Sequence, residues 1–151
     1  MSSFAGMSPT TIIRAAAAHD TADIASLLGQ LGYPSSGEDV GERLRRLSEC
    51  ATAVVFVAER QRTAVGLASA HMFPALHVSA PVAWLTSLIV DRQHVHGGVG
   101  RALCAAIEAW ARGRGATRIS LTSGAHRDGA HEFYRRVGYD ETGRRLTKSL
   151  G

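Results

Sequence analysis

The spacing of apolar residues changes period along the chain, and each change marks an element. Residues 10–16 alternate weakly around Ile12 and Ile13, which predicts a first strand. Ile24, Leu27, Leu28 and Leu31 then recur at i, i+3, i+4 and i+7, the stripe of an amphipathic helix, with Asp20 placed to cap it and Asp23 in its first turn. Residues 32–37 (Gly-Tyr-Pro-Ser-Ser-Gly) break it. A second helix is expected over 38–49, turning Val40, Leu44 and Leu47 inward and Arg43, Arg45 and Arg46 outward. Residues 52–58 and 64–73, joined by the polar stretch 59–63, predict a β-hairpin. An apolar run over 84–90 suits a buried strand. From 99 to 112, Val99, Leu103, Ala106, Ile107 and Trp110 share one helical face, and Gly113 and Gly115 end the helix. A strand over 117–122, a helix over 128–137 and a final strand over 144–148 complete the order. Four helices interspersed with strands, without strict alternation, predict an α/β domain with a mixed sheet, not a doubly wound parallel one.

Composition narrows the class. At 45% hydrophobic and 20% charged, residues 10–151 suit a single globular domain behind a flexible N-terminus, 1–9. The formal net charge of +4 demands no nucleic acid; it suits a polyanionic cofactor and a merely soluble surface about equally. Cys50 and Cys104 stand far apart without metal or redox spacing, as expected of thiols in a reducing cytosol. No run approaches the ~18 apolar residues of a membrane span, so a soluble, cytoplasmic protein is expected. None of the seven histidines falls in a His-x-x-x-His or Cys/His ligand set, and no metal is expected.

The stretch that organises the rest is Val90-Asp91-Arg92-Gln93-His94-Val95-His96-Gly97-Gly98-Val99-Gly100-Arg101. A buried strand, a glycine turn and a helix start make a place for an anion, because first-turn amides lack internal partners and sit at the positive end of the helix dipole. Glycines used for shape alone are the bland alternative. A dinucleotide site fares worse: G-x-G-x-x-G is absent, and the loop does not follow a first strand.

That loop resembles the acetyl-CoA pyrophosphate loop of the GNAT superfamily of N-acetyltransferases, Gln/Arg-x-x-Gly-x-Gly/Ala between the fourth strand and third helix. Gly98 and Gly100 fit; Val95 stands where Gln or Arg is usual, and Arg92, His94, His96 or Arg101 can supply the missing side-chain contact. A second stretch, Ala130-His131-Glu132-Phe133-Tyr134-Arg135-Arg136-Val137-Gly138-Tyr139, is similar to the family pattern Ala-x-x-Phe-Tyr-x-x-x-Gly-Phe/Tyr at every defining position. Arg127 stands where the family usually has Asn. In look the chain is nearest to small-amine members such as aminoalkylphosphonate and aminoglycoside N-acetyltransferases. The resemblance implies a mixed, mostly antiparallel sheet of about six to seven strands flanked by four helices and splayed between the fourth and fifth strands. It implies acetyl-CoA as co-substrate, a homodimer, and acetyl transfer to the primary amine of a small molecule by direct attack in a ternary complex. Protein or peptide N-acetylation, and a catalytically silent acyl-CoA-binding module, are the rival readings. Cofactor contacts carry over to Leu88, Ile89, Val90, Val95, His96, Gly97, Gly98, Val99, Gly100, Arg101 and Arg127. Tyr33, in the loop between the helices that overhang the acceptor site in this fold, and His77 are candidate substrate contacts, against a plain surface role.

The chemistry shows what each group would do. An amine attacking a thioester must be neutral, and deprotonating one of pKa about 10 at pH 7 costs roughly 4 kcal/mol. The departing thiolate needs a proton, for which a well-placed acid gives about 10²–10⁴-fold. The resemblance assigns that acid to Tyr134; Phe133, turned away by about 100° on a helix, reads as core. Backbone amides of Leu88, Ile89 and Val90 are candidates to meet the developing oxyanion. The base is least legible. Residues 84–88 hold no carboxylate where family members often have Glu; Ser87 can orient a water, and His71 is a candidate base of the residue type whose ordinary pKa lies near neutrality. Asp91 is expected to cap or brace the loop.

Overall fold

The computed structural model describes residues 10–123 and 128–151. The expected flexible segment 1–9 and the candidate Arg127 lie outside the described residues. The chain divides into two compact units, Met1–Ser120 and Leu121–Gly151.

In the first unit, β1 (Ile12–Ala15) is followed by a 3₁₀ turn (Ala18–Asp20), α1 (Thr21–Leu31) and α2 (Gly37–Ser48). Then come β2 (Ala53–Arg60), β3 (Thr63–Phe73), β4 (Val82–Val90), α3 (Val99–Gly113) and β5 (Ile119–Leu121), whose last residue opens the second unit. The sheet order is β1-β2-β3-β4-β5, and the pairs β1/β2, β2/β3 and β3/β4 are antiparallel. Five strands are present among the described residues, fewer than the six to seven expected. The expected strand over 144–148 is irregular: its one apolar residue, Leu146, is exposed and gives a strand no face to bury. The strand expected over 117–122 shortens to three residues.

Two packing faces fix the sheet. Ile24 and Leu27 of α1 and Val40 of α2 cluster with Val57, Ala64 and Leu67 on one side, with Val55 and Ile89 packed at the margin. On the other, Leu103 and Val99 of α3 pack on Gly66, where a Cβ would lie 2.8 Å from Val99 Cγ1 and 2.9 Å from Leu103 Cδ1. Gly66 is what lets α3 sit this close to the sheet. Two helix ends have a local cause. Ser36 Oγ accepts from Asp39 N at the start of α2, and Gly32, in the left-handed region at φ 106°, closes α1. The hairpin turn contracts to Gln61-Arg62, both at positive φ (49° and 65°), the conformation that a two-residue turn needs to match strand twist.

Two local expectations are corrected. Asp20 precedes α1 without capping it: its buried carboxylate instead accepts from Arg14 (2.7 and 2.8 Å) and from the Ala17 N–H (2.7 Å). Leu47 is exposed, not inward, because α2 buries only its Val40 side fully, with Leu44 half-buried.

In the second unit, α4 (Asp128–Arg136) ends at Gly138, whose φ of 102° turns the chain. Tyr139 N then donates to Tyr134 O (2.9 Å) and Gly138 N to Arg135 O (3.1 Å), closing the helix carbonyls. This turn brings the Tyr139 ring edge-on to Tyr134, centroids 5.6 Å apart. The spacing Tyr-x-x-x-Gly-Tyr thus has a mechanical reason.

Candidate active site

The candidate residues of the first unit gather along β4 and the loop after it. Within β4 the ladder shifts: Ser69 pairs with Ser87 but Ala70 with Leu85, so Thr86 is an inserted residue, a β-bulge. Ser69 Oγ and Thr86 Oγ1 lie 2.7 Å apart. Ser69, His71 and Phe73 alternate onto one face of β3, with His71 opposite Trp84 and stacked on Phe73 at 6.3 Å. The structure therefore brings Ser87 and His71 to one face of the β3–β4 ladder. Both strands lack carboxylates, so this face offers hydroxyls, an imidazole and aromatic surface. At three residues, β5 is too short to cover the whole edge of nine-residue β4. Leu88, Ile89 and Val90 are half-buried near the end of that strand.

The loop from Asp91 to Gly98 is braced both from within and by the elements beside it. Asp91 N donates to Val65 O (2.8 Å), and His94 N to Asp91 O (2.8 Å). The Asp91 carboxylate accepts from Gln30 Nε2 (3.0 Å) and Gln93 N (2.9 Å), and these donors hold its carboxyl below the usual carboxylate range. The bracing role expected of Asp91 is what the structure has. Gly98 stands just before α3 at φ 78°, with no side chain capping the helix, and the first capping bond runs from Ala102 N to Gly98 O (3.0 Å). The amides of Val99, Gly100 and Arg101 thus lie in the helix's uncapped first turn. Val99's side chain is core, 1% exposed, so only its backbone can serve a ligand. Val95, His96 and Arg101 are exposed.

Sequence reasoning missed two residues here. Gln30 of α1 also accepts from Arg92 N through Oε1 (3.1 Å), and Arg60 at the end of β2 donates through Nη2 to Gly97 O (3.0 Å). Neither partner is near in sequence, so no motif could signal them.

The remaining candidates are spread out. Tyr33 follows the last turn of α1, exposed, its N–H held by Leu28 O (2.8 Å). His77 is exposed in the β3–β4 connection, where it lines a shallow cleft of about 410 Å³ with Pro81, Val82 and Arg118. That is the end of β4 away from the glycine loop, roughly 25 Å along the strand. Tyr134, half-buried on α4, belongs to the second unit. Cys104 is a core thiol that burial pushes up to about 12. Among the described residues, no group of three or more His, Cys, Asp or Glu could hold a metal ion, and no helix is long and apolar enough to cross a membrane.

Sheet, bulged β4, glycine turn and uncapped α3 define an acetyltransferase fold. Residues 22–139 match the Acetyltransferase (GNAT) family, from α1 through Tyr139. The chain belongs to this family and is an N-acetyltransferase. It is 32% identical over 136 residues to aminoglycoside N(6')-acetyltransferase type 1 of Stenotrophomonas maltophilia, covering 87% of this chain and 88% of the relative. Two solved structures share the fold. One is an aminoglycoside N-acetyltransferase in complex with CoA (TM-score 0.85, 18% identity, 97% of this chain and 98% of that one). The other is an acetyltransferase of Trypanosoma brucei (TM-score 0.80, 23% identity, 93% and 100%).

Proposed function

We propose that the protein transfers the acetyl group of acetyl-CoA to a primary amine of a small molecule, by direct attack in a ternary complex. The observation that carries this is the braced loop opening onto α3, where Gly98 sits at φ 78° before a first turn with no capping side chain. Such amides suit a diphosphate, and an anion at a helix N-terminus gains about 0.3–1 kcal/mol from the dipole, up to about 2 when partly buried. Acetyl-CoA would supply the activated thioester. Backbone donors from Gly98 to Arg101 would hold its phosphates, with Arg127, His96 and the backbone of Val95 and Gly97 as further contacts. Leu88, Ile89 and Val90 would line its pantetheine arm and offer an amide to the carbonyl oxygen as it gains charge. Tyr134 would donate its phenolic proton to the departing sulfur, held in place by the Tyr139 ring. Ser87 would orient a water, through which the ammonium proton passes to His71 or to solvent. Tyr33 and His77 are proposed at the acceptor's margin. The relative's name supports a small amine acceptor of the aminoglycoside kind.

One observation favours a second reading. Neither β3 nor β4 bears a carboxylate, as a silent acyl-CoA-binding module would allow. Thiol release from acetyl-CoA over a panel of aminoglycosides, simple alkylamines and peptides separates the two. Release with small amines supports the proposal. Release with peptides alone would move the acceptor to proteins, and tight acetyl-CoA binding without any release would favour the silent module.

A further inference from the structure

We propose that Arg60, at the β2–β3 hairpin, is a positioning residue for the phosphate-binding loop. The inference rests on the acetyl-CoA reading above. Arg60 ends β2, where the tight Gln61-Arg62 turn fixes its backbone in register opposite Thr63. Its Nε donates to Thr11 Oγ1 (2.7 Å) and its Nη2 to Gly97 O (3.0 Å). A planar guanidinium anchored at two points has little freedom left, so it can hold a carbonyl in a set direction.

The carbonyl it holds matters. In a trans peptide the C=O and the following N–H point opposite ways, so pinning Gly97 O toward Arg60 directs the Gly98 N–H away from it. No backbone carbonyl takes that N–H among the described residues. Arg60 thereby sets the orientation of the first amide of the nest that would meet the diphosphate.

Gly97 is the partner of Arg60. It occupies a position that the loop pattern leaves unspecified, yet a Cβ there would lie 2.8 Å from Arg60 Nη2 and 2.9 Å from Nη1. A side chain at 97 would push the flexible end of Arg60 aside, so glycine is what leaves the guanidinium in this position against the loop. Arg60 and Gly97 are thus two halves of one device, 37 residues apart.

The test is steady-state kinetics on the intact enzyme with acetyl-CoA as the varied substrate, beside a direct acetyl-CoA titration. Arg60→Ala should raise the KM and Kd for acetyl-CoA about tenfold, the scale of one charge-assisted hydrogen bond, with kcat at saturation within about twofold. Arg60→Lys should recover part of the affinity. Gly97→Ala, which keeps residue 60 an arginine but displaces its guanidinium, should shift KM the same way, and the double variant should be no worse than the poorer single one. A fall in kcat with KM unchanged, additive effects, or wild-type affinity in Arg60→Ala would overturn the inference while leaving the acetyl-CoA reading intact. Should the wild-type protein itself not bind acetyl-CoA, it is the parent reading that fails, and this one falls with it.

Discussion

Gln30 and Asp91 are locked together across 61 positions of sequence: the Gln30 amide donates to the Asp91 carboxylate at 3.0 Å, and its carbonyl accepts from the next backbone N–H, Arg92, at 3.1 Å. One side chain thereby ties the last turn of α1 to the root of the glycine loop. The same helix leads into the loop bearing Tyr33, on the proposed acceptor side. Gln30→Ala should cost roughly 1 kcal/mol in urea unfolding, the scale for losing one partly buried hydrogen bond beside an exposed one. It should also weaken acetyl-CoA binding by a few-fold in a direct titration.

Arg14 and Asp20 give a pH signature. Hydrogen bonds from Arg14 hold the Asp20 carboxyl below its ordinary value of 3.8. A depressed carboxylate stabilises the fold fully above that ordinary value, and the stabilisation is lost as pH falls through the folded value. Wild-type stability should therefore drop below about pH 4. Asp20→Asn should remove much of that slope and cost roughly 2–3 kcal/mol at pH 7, since the guanidinium loses its nearer anion and keeps only Glu59 at 3.5 Å. Urea melts at pH 7, 4 and 3 for both proteins check this; an unchanged slope in the variant would refute it.

The hydrophobic period served well where burial is one-sided. Val99, Leu103 and Ile107 are nearly or wholly buried, as their spacing on α3 requires, and Ile24 and Leu27 lie in the core under α1. It failed where a side chain's partner is distant. Asp20 reads locally as a cap, yet Arg14 outbids the helix amides for its carboxylate. The Gln61-Arg62 turn carries none of the glycine or asparagine that usually marks positive φ. The bulge at Thr86 and the Arg60–Gly97 contact depend on strand register, which no local pattern encodes.

Gly66 sets how close α3 lies to the sheet. Gly66→Ala drives a methyl into Val99 and Leu103 and should destabilise the protein by about 1–3 kcal/mol, the usual cost of overpacking. Because the displaced helix start belongs to the proposed phosphate site, the KM for acetyl-CoA should rise more than kcat falls. Equal loss in both would point to general damage.

Tyr134 should separate chemistry from binding. Tyr134→Phe removes the proton and keeps the ring that packs against Tyr139, so kcat should fall about 10²-fold or more with the Kd for acetyl-CoA nearly unchanged. Gly138→Ala strains the left-handed turn that delivers Tyr139, and should lower kcat by a smaller factor. A Tyr134→Phe enzyme with wild-type turnover would remove the phenol from the mechanism.

The most direct measurement is amide hydrogen exchange with and without saturating acetyl-CoA. If the diphosphate rests on the main chain where β4 hands over to α3, protection should rise most at Gly98, Val99, Gly100 and Arg101. A saturating ligand that leaves those four amides unprotected, or no binding at all, would contradict the account.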